Sequence, residues 1–315
     1  MKPSAPGGNA AIVPAVSVVV FCRNAAATIE QAIRSVTSQS LDAVELIVLD
    51  GGSTDGTLEI LGRHESEIDF LRSGPDGGPT PAINEGWRRA RGEVIVLLPG
   101  DDWLEPGALE LIAREFGADP ELEVLSCGTR IVSVPADSRV VVEEEFSDPA
   151  VLEFRLANVL RHPLTAGRFM RRRIYERFGG HSGGYAFGDY DFLVRVCLAK
   201  VKSKVRPELA YTYRRHIGSS TLSGRPEMTM IMMRDNLRLT RAHLATAGLS
   251  AADRRALLTL NAGSACRLAA MRLGQGNARE AAATLAEATR LNWLWPLFAT
   301  AWFAGSLASK ARHSR

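Results

Sequence analysis

The chain is short of the signatures that would name its ligand at once. No G-x-G-x-x-G follows the first apolar run, Val16–Val20; Phe21-Cys-Arg-Asn24 stands there instead. That argues against a dinucleotide site, where such glycines let pyrophosphate approach a helix N-terminus. No G-x-x-x-x-G-K-[ST] occurs, which argues against a P-loop phosphotransferase. The four cysteines, Cys22, Cys127, Cys197 and Cys266, lie far apart with no C-x-x-C. They suit neither a zinc site nor a disulfide framework, and fit a reducing cytosol. The net charge is only +3, so general nucleic-acid binding is not implied. Internal repeats and low-complexity tracts are absent, and residues 1–14 read as a flexible terminus with no signal-peptide core.

What is present is an ordinary globular composition, 46% hydrophobic and 23% charged over 315 residues. That suffices for one large domain or two smaller ones. The chain is organised around residues 93–107. Val94–Leu98 reads as a buried strand of a parallel sheet, and Pro99-Gly100 stops it. Asp101-Asp102 follow at once, before a new helix with Pro106 near its start. Val16–Val20, Val44–Leu49 and about Ile68–Arg72 read as further strands. Thr28-Ile-Glu-Gln31 reads as a capping box, with Ile29, Ala32, Ile33 and Val36 at helical spacing. More helices are predicted through Leu58 and Leu61, and from Thr80-Pro81 to Gly92. This alternation predicts an α/β fold with a doubly wound, mostly parallel sheet.

In open α/β sheets ligands sit at the carboxyl ends of the strands. Asp50 ends the second strand, and the pair Asp101/Asp102 ends the fourth. A single carboxylate can accept a hydrogen bond from a base N–H or a ribose hydroxyl. An adjacent pair suits a hard divalent cation held against a diphosphate. The alternative for the pair is a solvated turn whose acids cap the next helix. Together the acids suggest a nucleotide-diphosphate site.

A longer pattern runs through these pieces. Val16-Ser-Val-Val-Val20, Asn24 with Thr28-Ile-Glu30, Glu45–Thr57 with its Asp50-Gly-Gly-Ser-Thr-Asp-Gly56, and Pro75-Asp-Gly-Gly78 come first. Asn84-Glu-Gly86, Ala90-Arg-Gly-Glu93 and Gly100-Asp-Asp-Trp103 follow. In order and spacing the series resembles the donor half of a family 2 glycosyltransferase with the GT-A fold. The Asp-Gly-Gly-Ser form resembles the branch that builds bacterial surface polysaccharides. His162-Pro-Leu-Thr165, Tyr175–Gly180, Gly188–Arg195 and Tyr213–His216 resemble the family's acceptor-side segments.

The resemblance covers about residues 16–222. It implies a GT-A domain over 15–222, with a donor half near 15–110 and an acceptor half near 111–222. It also implies inverting, metal-dependent transfer from a nucleotide-diphosphate sugar to a hydroxyl of a glycan or lipid-linked acceptor, with Mn2+ or Mg2+. By the same resemblance Asp50 reads the nucleobase, Asn24 and Asp76 contact the donor, and Asp101 meets ribose or sugar. Asp102 ligates the metal, and His216 makes a further contact to metal or diphosphate. Asp189 falls where the family places its catalytic base. Asp191 is the rival, and otherwise a helix-dipole acid. His162 lines the acceptor pocket or lies on a surface loop. Two departures stand out. Cys22-Arg-Asn24 replaces the common Thr-Tyr-Asn, which leaves the nucleobase contact at Cys22 open, and Gly51 replaces the second acid of the commoner Asp-Asp-Gly-Ser.

Two alternatives remain: a nucleotidyltransferase, which also places acids at strand ends, and a nucleotide- or glycan-binding module without turnover. Arg171-Arg-Arg173 suits a phosphate-bearing lipid acceptor or a solvated face. From Arg225 onward Ala, Leu and Arg dominate, and helices are predicted near 227–246, 251–272 and 278–290 in a helical region, 225–315. Ala262–Ala288 resembles a single hairpin of tetratricopeptide type. Leu291–Ser309 then runs 19 residues without a charge, with Trp293, Trp295, Pro296 and Trp302 inside and Arg290, Lys310, Arg312 and Arg315 around it. A span, an interfacial anchor and a buried packing helix are all open to it. The anchor reading predicts a cytoplasmic protein held peripherally at the inner membrane face.

Overall fold

The structure, a computed structural model, describes residues 13–134, 139–162, 165–186, 188–216 and 225–303. The expected flexible terminus and residues 304–309 of the apolar tail therefore lie largely outside the described residues. The order is β1 (Val16–Cys22), α1 (Ile29–Thr37), β2 (Val44–Asp50), α2 (Thr57–Arg63), β3 (Phe70–Ser73), α3 (Pro79–Arg89) and β4 (Val94–Pro99). Then come β5 (Trp103–Leu104), α4 (Ala108–Ala118), β6 (Val124–Ser133), β7 (Val141–Phe146), α5 (Pro149–Leu152), α6 (Leu156–Arg161) and β8 (Arg168–Arg171). The chain closes with α7 (Arg172–Phe178), α8 (Gly188–Leu198), β9 (Ser203–Arg215), α9 (Pro226–Leu244), α10 (Ala251–Gly274) and α11 (Ala278–Leu291). It divides into two compact units, Met1–Glu123 with Phe169–Arg177 and Val124–Arg168 with Phe178–Arg315.

In the first unit β1 lies between β2 and β4, parallel to both, and β2 pairs with β3, also parallel. Met170 and Arg171 add an antiparallel edge against Ile95 and Val94. Val18, Val20, Val48 and Val96 are fully buried, as continuous apolar strands covered on both faces should be. The register aligns Cys22 with Asp50 and Asp50 with Ser73, while Phe21 meets Pro99. Four neighbouring strands thus end on one line.

Two local expectations change. The capping box does not form: the Thr28 side chain makes no cap bond and donates to the Gly100 carbonyl at 2.8 Å. A contact 72 residues away therefore outcompetes the local one. Nor does Arg171 belong to an exposed charge run with Arg172 and Arg173. Arg171 is buried and donates to the carbonyls of Leu122 (2.7 Å), Phe116 (2.7 Å) and Asp119 (3.0 Å) and to Glu93 (2.8 Å). It closes the C-terminal end of α4, where carbonyls lack helical partners. Arg172 and Arg173 pair with Glu176 and Glu123.

In the second unit β6 pairs parallel with β9 and antiparallel with β7. α8 is deeply buried through Phe192, Leu193, Val194 and Val196. α9 and α10 meet through buried polar side chains as well as apolar ones. Asn261 Nδ2 donates to Thr240 Oγ1 at 2.7 Å, and Asn236 Nδ2 to Ser264 Oγ at 3.2 Å. α10 and α11 pack on each other as a hairpin joined through Gly274-Gln-Gly276.

The apolar tail resumes as helix at 295–303, so Pro296 sits in a first turn. Its faces differ. Ala299 is buried, and Trp302 lies so close to α10 that a Cβ on Gly263 would come within 2.2 Å of the indole. Trp293 and Leu297 stay 76% and 66% exposed. Among the described residues no helix is long and apolar enough to cross a membrane.

Candidate active site

Two loops at the strand ends are laced together in the first unit. Asn24, with a left-handed φ of 51°, donates its N–H to Ser53 Oγ (2.7 Å) and accepts from Thr54 N–H on Oδ1 (2.9 Å). Asp55 takes the N–H groups of Ala26 and Thr57, both at 3.1 Å. The Asp50-Gly-Gly-Ser-Thr-Asp-Gly56 loop is thereby held against the turn after β1.

Asp50 is the hub. Its Oδ2 accepts from Gly52 N–H (3.0 Å), Ser53 N–H (3.0 Å) and Ser73 Oγ (2.6 Å). Its Oδ1 accepts from the Ser53 hydroxyl and, at 3.8 Å, from the Cys22 thiol. Burial raises the carboxyl pKa, but the Ser53 and Ser73 hydroxyls and the two backbone N–H groups outweigh it and hold the group below the usual range. Burial, with Asp50 beside it, pushes the Cys22 thiol far up, so it is no nucleophile.

Asp76 reaches the same place from the loop after β3, where Gly78 N–H binds its Oδ1 at 2.8 Å. The absent second acid now has a physical reason. A Cβ on Gly51 would sit 3.1 Å from Asp76 Oδ2, so a bare backbone admits this carboxylate. Gly100 permits a second close approach. Its N–H bonds Phe21 O at 2.9 Å, and a Cβ there would come within 2.6 Å of Cys22 Cβ. The turn that follows carries Asp101, half-buried, and Asp102, 2% exposed, whose N–H closes on Pro99 O at 3.1 Å.

In the second unit Asp189 opens α8 and is half-buried. Desolvation pushes its pKa up to about 6, against the backbone N–H of Tyr190 and its own, which lower it. At neutral pH it is mostly ionised yet near the value a proton acceptor needs. Asp191, two residues on, is tied down. Its Oδ2 accepts from Arg195 Nε at 2.8 Å, and its Oδ1 pairs with His243 Nε2 at 3.1 Å. Burial raises its pKa, and these two partners bring it below the usual range.

Sequence reasoning missed the supports of this segment. Asp235 of α9 accepts the Ala186 N–H at 2.8 Å, just before Asp189, and His243 of the same helix holds Asp191 just after it. Arg195 also donates to the carbonyls of Phe178 and Gly180. The i, i+4 spacing of Asp191 and Arg195 was the one available signal. His162 ends α6 with its ring 5.2 Å from Phe146. His216 follows β9 and is exposed.

Known proteins share this architecture. A solved mannosyltransferase from Pyrobaculum calidifontis, in complex with GDP-Man and Mn2+, superposes with a TM-score of 0.59 at 19% identity, over 99% of this chain and 90% of that one. S. aureus TarS 1-349 in complex with UDP-GlcNAc gives 0.57 at 15% identity, over 92% of each chain. These likenesses establish the fold, a GT-A α/β architecture with C-terminal helices. Hyaluronan synthase of Pasteurella multocida is 34% identical over 123 residues, 38% of this chain, and the chain spans only 13% of that relative's length. Residues 17–179, more than half of the sequence, match the glycosyl transferase family 2 profile, and the chain belongs to that family.

Proposed function

We propose that the protein transfers a sugar from a nucleotide-diphosphate donor to an acceptor hydroxyl, with inversion at the anomeric carbon. The observation that carries this is the convergence of Asp50, Asp76 and Asp101/Asp102 on adjoining loops at one line of parallel strand ends. Asp76 and Asp101 bind the donor, and Asn24 holds the loop that the base lies against. Asp50 reads the base by exchanging a serine hydroxyl for a base N–H. Its lone pairs are all engaged, but Ser53 and Ser73 are rotors that can turn away with the backbone in place.

A divalent cation, Mn2+ or Mg2+, fits the donor set. Aspartate oxygens are hard ligands, and such ions use one or two carboxylates together with substrate phosphates. Among the described residues no three His, Cys, Asp or Glu side chains gather to hold an ion alone, and a bound ion would take further oxygens from the donor's phosphates. Asp102 is the ligand, and His216 is a further contact to ion or diphosphate. When bound, the ion stabilises negative charge on the leaving diphosphate. Asp189 takes the proton of the attacking hydroxyl. Its raised pKa supports that role over Asp191, whose oxygens are occupied by Arg195 and His243.

The acceptor is a glycan or lipid-linked hydroxyl in surface polysaccharide synthesis, reached at the inner face of the cytoplasmic membrane. Exposed Trp293 and Leu297 beside Arg290 support a peripheral contact with anionic lipid. A nucleotide-sugar panel tests the reaction. Mn2+-dependent thermal stabilisation should single out one donor, and turnover should release nucleoside diphosphate. Pyrophosphate release instead identifies a nucleotidyltransferase.

A further inference from the structure

A recess in the second unit has a chemistry that the donor and base residues do not explain. Its polar lining is Ser126, Thr129, His162 and Arg168, and Phe146 and Leu152 supply apolar walls. About 30 Å3 is open to the centres of water-sized molecules. That is room for about two waters or one carboxylate, and not for a sugar ring.

Three features define its sign. Among the described residues that line it, none is acidic. The Arg168 guanidinium, held by its Nη1 donation to the His162 carbonyl at 3.2 Å, is desolvated enough to bring its pKa down to about 10. It stays cationic at neutral pH, and this half-buried guanidinium lends the recess a positive charge. Ser126 is 1% exposed, and among the described residues its Oγ has no hydrogen-bond partner. Buried hydroxyls are nearly always satisfied, and a polar group filling the recess would supply the partner. Thr129 Oγ1 makes long bonds, 3.4 Å to the carbonyls of Cys127 and Ala166, and can reorient.

We propose that this recess is a subsite for an oxyanion, a carboxylate or phosphate group carried by the acceptor. Arg168 supplies the charge, and the Ser126 and Thr129 hydroxyls donate to the remaining oxygens. That the anion belongs to an acceptor rests on the transferase reading; that the recess binds an anion does not.

Calorimetric titration of the full chain at fixed ionic strength tests it, with glucuronate, glucose and inorganic phosphate as probes. An anion should bind and glucose should not. Preference for glucuronate assigns the site to an acidic sugar, and preference for phosphate assigns it to a phosphate-bearing acceptor. Ser126→Ala should raise the melting temperature by removing an orphan hydroxyl, and should weaken the anion about 3–10-fold. Arg168→Gln should weaken it further. Equal binding of all three probes, or anion affinity unchanged in folded Ser126→Ala, overturns the proposal and leaves a water-filled cavity. Anion binding that follows both variants in a chain with no transfer activity keeps the subsite and removes the transferase reading.

Discussion

Asp50 and Asp189 are both aspartates at the end of an element, and their surroundings drive them in opposite directions. Asp50 lies among hydroxyls and turn N–H groups, and its carboxylate is held low. Asp189 has little but backbone N–H groups against its desolvation, and its pKa rises to about 6. The first site organises a loop and keeps its charge. The second keeps a carboxyl whose pKa lies close to neutral. Environment separates the roles of two identical side chains, and each half of the contrast can be broken experimentally.

The largest effect is expected at Asp189. Asp189→Asn keeps the shape but accepts no proton, so kcat should fall at least about 10²-fold with donor affinity unchanged. The parent enzyme should lose activity as pH falls below about 6, and the variant should lack that limb. Stability moves the other way. A carboxyl whose folded pKa is raised favours the folded state most below its unfolded value, and that advantage fades as pH rises to about 6. Asp189→Asn should therefore melt no lower than the parent at pH 7. Donor affinity that collapses along with kcat makes Asp189 a binding residue.

Gly100→Ala attacks the other half. Its Cβ has no room beside Cys22, so a loss of about 1–3 kcal/mol and weaker nucleoside-diphosphate binding are expected. Adding Cys22→Gly should restore part of both, measured by thermal melts and titration. No recovery means that the contact is not the cause.

Ser73→Ala has a smaller, pH-dependent effect. Asp50's lowered pKa contributes stability above the usual carboxylate range, lost as pH falls through the folded value. Removing the Ser73 bond should lower stability by about 1.5–3 kcal/mol at pH 7, and by less near pH 3. A deficit that is the same at both values breaks the link to Asp50's charge.

The smallest change in fold is expected in the tail. Leu297→Ser should leave the melting temperature in place and reduce flotation with anionic liposomes. Trp302→Ala should lower the melting temperature, because Trp302 packs on Gly263. If liposome binding never occurs, the exposed face has another purpose.

Much of the first unit was legible along the chain. Val94–Leu98 followed by Pro99-Gly100 marked a buried strand and its end, because apolar runs and breakers act locally. The acids at strand ends were legible for the same reason. Thr28 was misread because a carbonyl far along the chain competed for its hydroxyl. Arg171 was misread because the carbonyls it satisfies are brought to it only by folding. Nothing in the spacing linked Asp235 or His243 to the Asp189 segment, since contacts across 49 and 52 residues leave no local period.

By itself the sequence determined the alternation of strands and helices, the places where each stops, and the acids available at the strand ends. Side-chain period and turn chemistry set those within a few residues. Only the tertiary structure decided which carboxylate is held low and which raised, why Gly51 is bare, which face of 295–303 packs, and that a buried hydroxyl without a partner among the described residues lines a cationic recess. Each of these depends on desolvation or on close approach between segments distant along the chain, and neither has a signature in residue order alone.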